Sequence, residues 1–280
     1  AISNLLDAKE SEDNSTTVTL LLIEAYVKTK QFDKAKELTK KLTDAQPKNS
    51  YFQQQHGIAL GFSGDIANAR VAFQPKNSAV IIHLARMELI EKGPQEAVKF
   101  IENQLESQPN NTQLIVELAD MHMKNNQADD ALKQYQQAFD FDNQNSFILI
   151  KLVNYYFIKN QYNKAEPILL AFLQKNPKHS EIKIKLGRLY GKLNQPLKAI
   201  KTFESAVADS TDRTKVYMLL AQAQLKVDNR NDAIKSLNKA TAWDETRIEP
   251  LLMLYPIALS KKDYTRAEQV IYSINKLIPE

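Results

Sequence analysis

The chain is a succession of short amphipathic stretches in which apolar residues recur three and four positions apart, the spacing that gathers them on one side of a helix. An alanine stands one turn into every second stretch, at Ala35, Ala69, Ala97, Ala131, Ala165, Ala199, Ala233 and Ala267. Neighbouring alanines are 34 residues apart, except for a step of 28 between Ala69 and Ala97. Setting each alanine as position 20 of a 34-residue unit brings further positions into line. Position 7 is leucine at Leu22, Leu84, Leu118, Leu152, Leu186, Leu220 and Leu254, and His56 alone departs. Position 8 is small at Gly57, Ala85, Ala119, Gly187 and Ala221, as two closely crossing helices require. Position 24 is large and apolar except at Thr39. Pro47, Pro109, Pro177 and Pro279 fall at position 32, where a ring without an N–H ends the helix before it. The pattern predicts an all-α chain of eight helix pairs, with the first helix of the first full unit at about residues 17–29.

This register resembles the tetratricopeptide repeat, which has a leucine and a small residue in its first helix, alanine and an aromatic in its second, and a closing proline. The resemblance covers essentially the whole chain. It implies a right-handed α-α superhelix in which first helices line a concave face, second helices lie outside, and each repeat buries its apolar stripe against its neighbours. Ala1, Leu5 and Ala8 fit positions 20, 24 and 27 of a preceding repeat, so residues 1–15 are read as the second helix of a truncated upstream repeat and 16–280 as one solenoid. The short step places Gln74 directly before Pro75 and leaves the second repeat six residues short. That shortfall is either a segment left out of the numbering, the reading preferred, or a true deletion. Val270, Ile271, Ile274, Leu277 and Ile278 would leave an apolar stripe uncovered, which predicts either a longer array or self-association through the last helix.

Composition narrows the function classes. Only 6 of 280 residues are glycine and none is cysteine, which excludes disulfides and thiolate metal sites but leaves the compartment open. The 37 basic and 33 acidic residues give a mixed surface with a net charge of +4, which does not imply nucleic acid. The most apolar stretch, residues 147–158, is broken by Lys151 and Asn154, so no membrane span is predicted. The four histidines are scattered, and Gly57, Gly61 and Gly64 lack the strand and Lys-Ser/Thr ending of a phosphate loop. No catalytic residue, metal or cofactor is predicted, and the chain is read as a non-enzyme.

The resemblance implies that positions 2, 5, 9 and 12 of the first helices face a partner. Position 5 is apolar in seven repeats and Gln54 in the other, while position 9 carries Arg86, Asp120, Asn154, Arg188 and Gln222. Tyr51, Phe147 and Phe157 add aromatic anchors, and together these residues predict a groove for a protein or peptide ligand. Without lysine at position 5, the chain departs from the members that clamp the carboxylates of a chaperone tail, so a cytoplasmic co-chaperone-like adaptor is a lesser alternative. A solenoid binding single-stranded RNA is another, although RNA-reading pentatricopeptide repeats are normally one residue longer. The strings Gln31-Phe32-Asp33-Lys34-Ala35, Gly64-Asp65-Ile66-Ala67-Asn68-Ala69-Arg70-Val71-Ala72-Phe73 and Leu84-Ala85-Arg86-Met87-Glu88-Leu89 also resemble the bacterial tetratricopeptide lipoproteins of the exosortase (PEP-CTERM) system. That resemblance implies a periplasmic or envelope-associated scaffold in exopolysaccharide or protein-export assembly.

Overall fold

The computed structural model describes residues 2–10, 16–72 and 78–278. The six-residue shortfall at Gln74 and Pro75, and the predicted roles of Ala1 and Pro279, lie outside them. Among the described residues there are seventeen helices and no strand. The chain divides into two compact units, Ala1–Phe141 and Asp142–Glu280.

In the first unit, α1 (Ile2–Glu10) packs on α2 (Thr16–Lys28). Four helix pairs follow from α2: α2 with α3 (Phe32–Ala45), α4 (Ser50–Phe62) with α5 (Ile66–Ala72), α6 (Ser78–Lys92) with α7 (Pro94–Ser107), and α8 (Thr112–Lys124) with α9 (Ala128–Phe141). In the second unit the pairs are α10 (Ser146–Ile158) with α11 (Tyr162–Lys175), α12 (Ser180–Lys192) with α13 (Pro196–Val207), α14 (Arg213–Lys226) with α15 (Arg230–Trp243), and α16 (Glu249–Ser260) with α17 (Tyr264–Leu277). Second helices such as α7 and α13 contact their own first helix and the first helix of the next pair, so the pairs stack within each unit. Eight pairs fit the repeats expected from the sequence.

The alanine register explains the close stacking. All eight position-20 alanines are at most 4% exposed. Their small side chains let the helices approach closely, and the leucines around them supply the buried area. Burying one such leucine is worth roughly 1.5–3 kcal/mol. One cluster joins Ile81 and Ala85 of α6, Ala97, Val98 and Ile101 of α7, and Leu114, Leu118 and Met121 of α8. A second joins α14 to α17 through Ala221, Leu237, Leu254 and Val270. Ile274 and Leu277 pack against it, while Ile271 and Ile278 stay exposed, so the apolar stripe of α17 is only partly uncovered.

The turn between the helices of a pair repeats as well. Lys30, Asn126, Asn160, Asn194, Asp228 and Lys262 all occupy position 15 and have φ between 55° and 60°, and Gly64 at the same position has φ 85°. The following amide reaches back to the carbonyl five residues earlier, as in Gln31 to Tyr26 at 2.8 Å and Gln127 to His122 at 2.9 Å. This is the left-handed helix ending known as a Schellman motif, which glycine and asparagine tolerate and lysine does not favour. Lys30→Gly and Lys262→Gly are therefore each expected to stabilise the fold by roughly 1 kcal/mol, less the greater unfolded-state entropy of glycine. Urea denaturation of the two variants checks this, and Asn160→Gly should gain less.

Starts of first helices follow a rule too. Asn49, Asn111 and Asn145 cap α4, α8 and α10 by accepting amide hydrogens through their side chains. Pro47 and Pro109 lie in the turns that lead into the Asn49 and Asn111 caps, and Pro177 lies in the turn that leads into α12.

Candidate functional site

The predicted partner-facing residues separate into those already held within the fold and those left open. In the first unit, Arg86 donates through Nε and Nη2 to both carboxylate oxygens of Glu117 at 2.8 and 2.9 Å. The Glu117 side chain is 7% exposed and the Arg86 side chain 52% exposed, so a nearly buried carboxylate is clasped from the solvent side. The same bond raises the Arg86 guanidinium above its ordinary value. Asp120 accepts the hydroxyl hydrogen of Tyr135 from α9. Burial and that carboxylate push the Tyr135 phenol well up. Arg86 and Asp120 are thus engaged in joining α6, α8 and α9. Tyr51 is exposed, with its ring tilted against Phe52, and Gln54 is half-buried.

In the second unit the same logic operates once. Asn154 accepts a hydrogen bond from Lys185 Nζ at 2.6 Å, which ties α10 to α12. Arg86 with Glu117 and Asn154 with Lys185 are each separated by 31 residues, which is position 9 of one repeat against position 6 of the next. Phe147 is 58% exposed, with Lys151 Nζ 5.5 Å from its ring centre. Phe157 is half-buried and edge-on to Tyr162. Arg188 and Gln222 are exposed.

The structure brings three of the nine predicted residues, Phe157, Arg188 and Gln222, to one pocket of about 440 Å³ among α10, α12, α13 and α14. Its apolar floor includes Gly187, Ala199, Phe203, Leu219 and Ala223, and its rim carries Lys185, Arg188, Lys192 and Lys226. Lys185, Lys192 and Lys226 were not among the predicted residues. They stand at positions 6, 13 and 13, outside the four positions taken as partner-facing. Burial, with Arg188 and Lys215 nearby, holds the Lys185 ammonium below its ordinary value. The position-5 residues are mostly half-buried between neighbouring helices, from Val116 at 3% to Leu252 at 53% exposed, so much of that apolar row serves packing.

The histidines occupy local environments with no shared site. His56 Nδ1 lies 3.0 Å from the Thr39 hydroxyl, and His122 Nδ1 lies 3.1 Å from Gln127 Oε1. His179 sits edge-on to Phe172 at the start of α12. Burial holds His56 and His83 below the usual histidine value. Among the described residues no three metal-ligating side chains converge, and no helix is long and apolar enough to cross a membrane.

Comparison with known proteins agrees with the fold. Residues 156–223 match a family described as tetratricopeptide repeat, and residues 214–247 match a second family of the same description. No curated protein matches the chain. Among solved structures, yeast Tom70 aligns with a TM-score of 0.65 at 18% identity, over 96% of this chain and 62% of its own. The Cut9–Hcn1 hetero-tetramer of the APC/C aligns with a TM-score of 0.52 at 15% identity, over 99% of this chain and 56% of the other. A tetratricopeptide repeat protein from Parabacteroides merdae aligns at 0.50 and 13% identity, over 80% and 91%. At these identities the likeness is one of fold.

Proposed function

We propose that this protein is a non-catalytic scaffold that receives a peptide or a partner subunit on the faces of its first helices. Tetratricopeptide folds generally serve protein–protein interaction and not catalysis. The observation that carries the proposal here is the open site in the second unit: Phe147, Arg188 and Gln222 stay exposed, and the latter two border a pocket with an apolar floor. Exposed aromatic and arginine side chains beside a cavity have the chemistry of interface anchors. In the first unit Tyr51 plays the corresponding part, whereas Arg86 and Asp120 shape the face by fixing its helices.

We assign the scaffold to bacterial envelope assembly, in exopolysaccharide or protein export. The support is the resemblance of its repeat strings to the exosortase-system lipoproteins. An RNA-binding role has less support, because in the first helices of the first unit the cations Lys28, Arg86 and Lys92 are each paired with a carboxylate of the same face, Glu24, Glu117 and Glu88, which leaves no basic track for a phosphate backbone.

Photo-crosslinking in the source cells tests the reading. Benzoylphenylalanine placed at Tyr51, Phe147 or Gln222 should capture a discrete protein, and the same group at Lys201 or Leu170 on second helices should not. Capture from the second helices alone, or of nucleic acid from the first helices, would refute it.

A further inference from the structure

The rim and floor of the pocket in the second unit specify more than a generic protein partner. Lys185, Arg188, Lys192 and Lys226 border it, and no carboxylate lines it. Lys185 is bound to the neutral Asn154, and Lys226 reaches only the Gly191 carbonyl, at 3.4 Å. No anion in the lining therefore offsets four cations gathered at one pocket. Some cations elsewhere on the second unit do face a carboxylate, as with Lys183 and Asp209 at 2.7 Å or Lys235 and Asp232 at 2.9 Å.

The floor is shaped by missing side chains. A Cβ on Gly191 would meet nothing within 4 Å, so this glycine opens the pocket to solvent. One turn earlier, a Cβ on Gly187 would come 2.5 Å from Phe203, so there the helix lies directly against the ring. The result is an apolar recess of about 440 Å³, room for one bulky side chain, bordered by ammonium and guanidinium groups.

We infer that this pocket binds an internal acidic segment of a partner protein, with one large apolar side chain in the recess and flanking carboxylates on Arg188, Lys192 and Lys226. The inference rests on the scaffold reading above and names the chemistry of its partner. Carboxylates complement the rim, and a recess walled by alkyl groups, the buried ring of Phe203 and the half-buried ring of Phe157 rewards an apolar knob. A single-stranded nucleic acid fits less well. Of the two rings in the lining, Phe203 is buried and Phe157 is half-buried and edge-on to Tyr162, which leaves little aromatic surface for a base to stack on.

Fluorescence anisotropy at low ionic strength with labelled heptapeptides tests the inference. The probes are Ala-Glu-Asp-X-Glu-Asp-Ala with X as Phe, Leu, Trp or Met, acetylated and amidated so that no terminal carboxylate contributes. At least one of these probes should saturate, and replacing X by Ser should weaken it about tenfold, in keeping with loss of a buried anchor. A lysine-flanked Phe probe should not bind. Arg188→Glu with Lys192→Glu should abolish binding. Gly191→Leu, which fills the recess in open space, should weaken it about tenfold at unchanged circular dichroism and Tm.

The inference is overturned if no acidic probe saturates at millimolar concentration, if Gly191→Leu binds as the parent does, or if oligouridine binds more tightly than every peptide. Crosslinks from the first helices that persist in the Gly191→Leu and charge-reversed proteins would remove this pocket while leaving the scaffold reading intact. Absence of first-helix crosslinks in the parent protein would remove that reading itself.

Discussion

Arg86→Met is expected to cost about 3 kcal/mol of folding free energy, because it strands the nearly buried Glu117 carboxylate without its counter-ion. Glu117→Leu should cost no more than about 1 kcal/mol, since the Arg86 side chain it releases is half-exposed and can turn to water. The asymmetry follows from the exposures of 52% and 7% and from nothing else about the pair. Asp120 sharpens it by adding a second negative charge near the site, felt by both Arg86 and Tyr135. Combining the two substitutions should return stability to within about 1 kcal/mol of the parent, because an apolar pair then replaces an ionic one of similar volume. Urea denaturation of the three variants forms a double-mutant cycle with a coupling of about 3 kcal/mol. Equal losses in the two single variants would show that Glu117 is better solvated than its exposure implies. A further consequence bears on function: any loss of partner binding in Arg86→Met should be recovered in the double variant, since Arg86 acts on the surface through Glu117.

The fold was legible because its determinants are periodic. Ala131, Ala165 and Ala199 were placed by arithmetic alone, and each proves to be the buried residue at a crossing of helices. The position-15 turn was equally periodic yet unread. Asn126, Asn160 and Asn194 recur at a 34-residue spacing with Gly64 in the same register, and asparagine with glycine at one position is the signature of a left-handed residue.

The candidate site was legible only in outline. Position 9 was singled out as a polar row, but its fate depends on position 6 of the following repeat, 31 residues away, and that relation exists only once the helices stack. Hence Arg86 and Asn154 are engaged within the fold, whereas Arg188, whose position-6 neighbour in the next repeat is Leu219, is not. The pocket itself escaped notice because a recess is made by what Gly191 lacks, and a net charge of +4 conceals four cations gathered at one point.

Leu114→Ala should cost about 3–4 kcal/mol, through lost transfer free energy plus the cavity left behind. Leu114 is fully buried in the cluster where α6 and α7 of one repeat meet α8 of the next, so its removal weakens an interface between repeats as well as a helix. In a stack held by neighbour contacts the damage should remain local. Hydrogen exchange should therefore show amides of α6, α7 and α8 losing protection, while those of α16 and α17 keep theirs. Tyr272→Ala, at a side chain 74% exposed on α17, should change stability by no more than about 0.5 kcal/mol and serves as the control. A uniform loss of protection along the chain would mean that the repeats unfold as a single cooperative block. In that case a partner bound to one pair of helices would stabilise every pair equally. With local opening, by contrast, an acidic segment held among α12, α13 and α14 should protect those helices first and their stacked neighbours next.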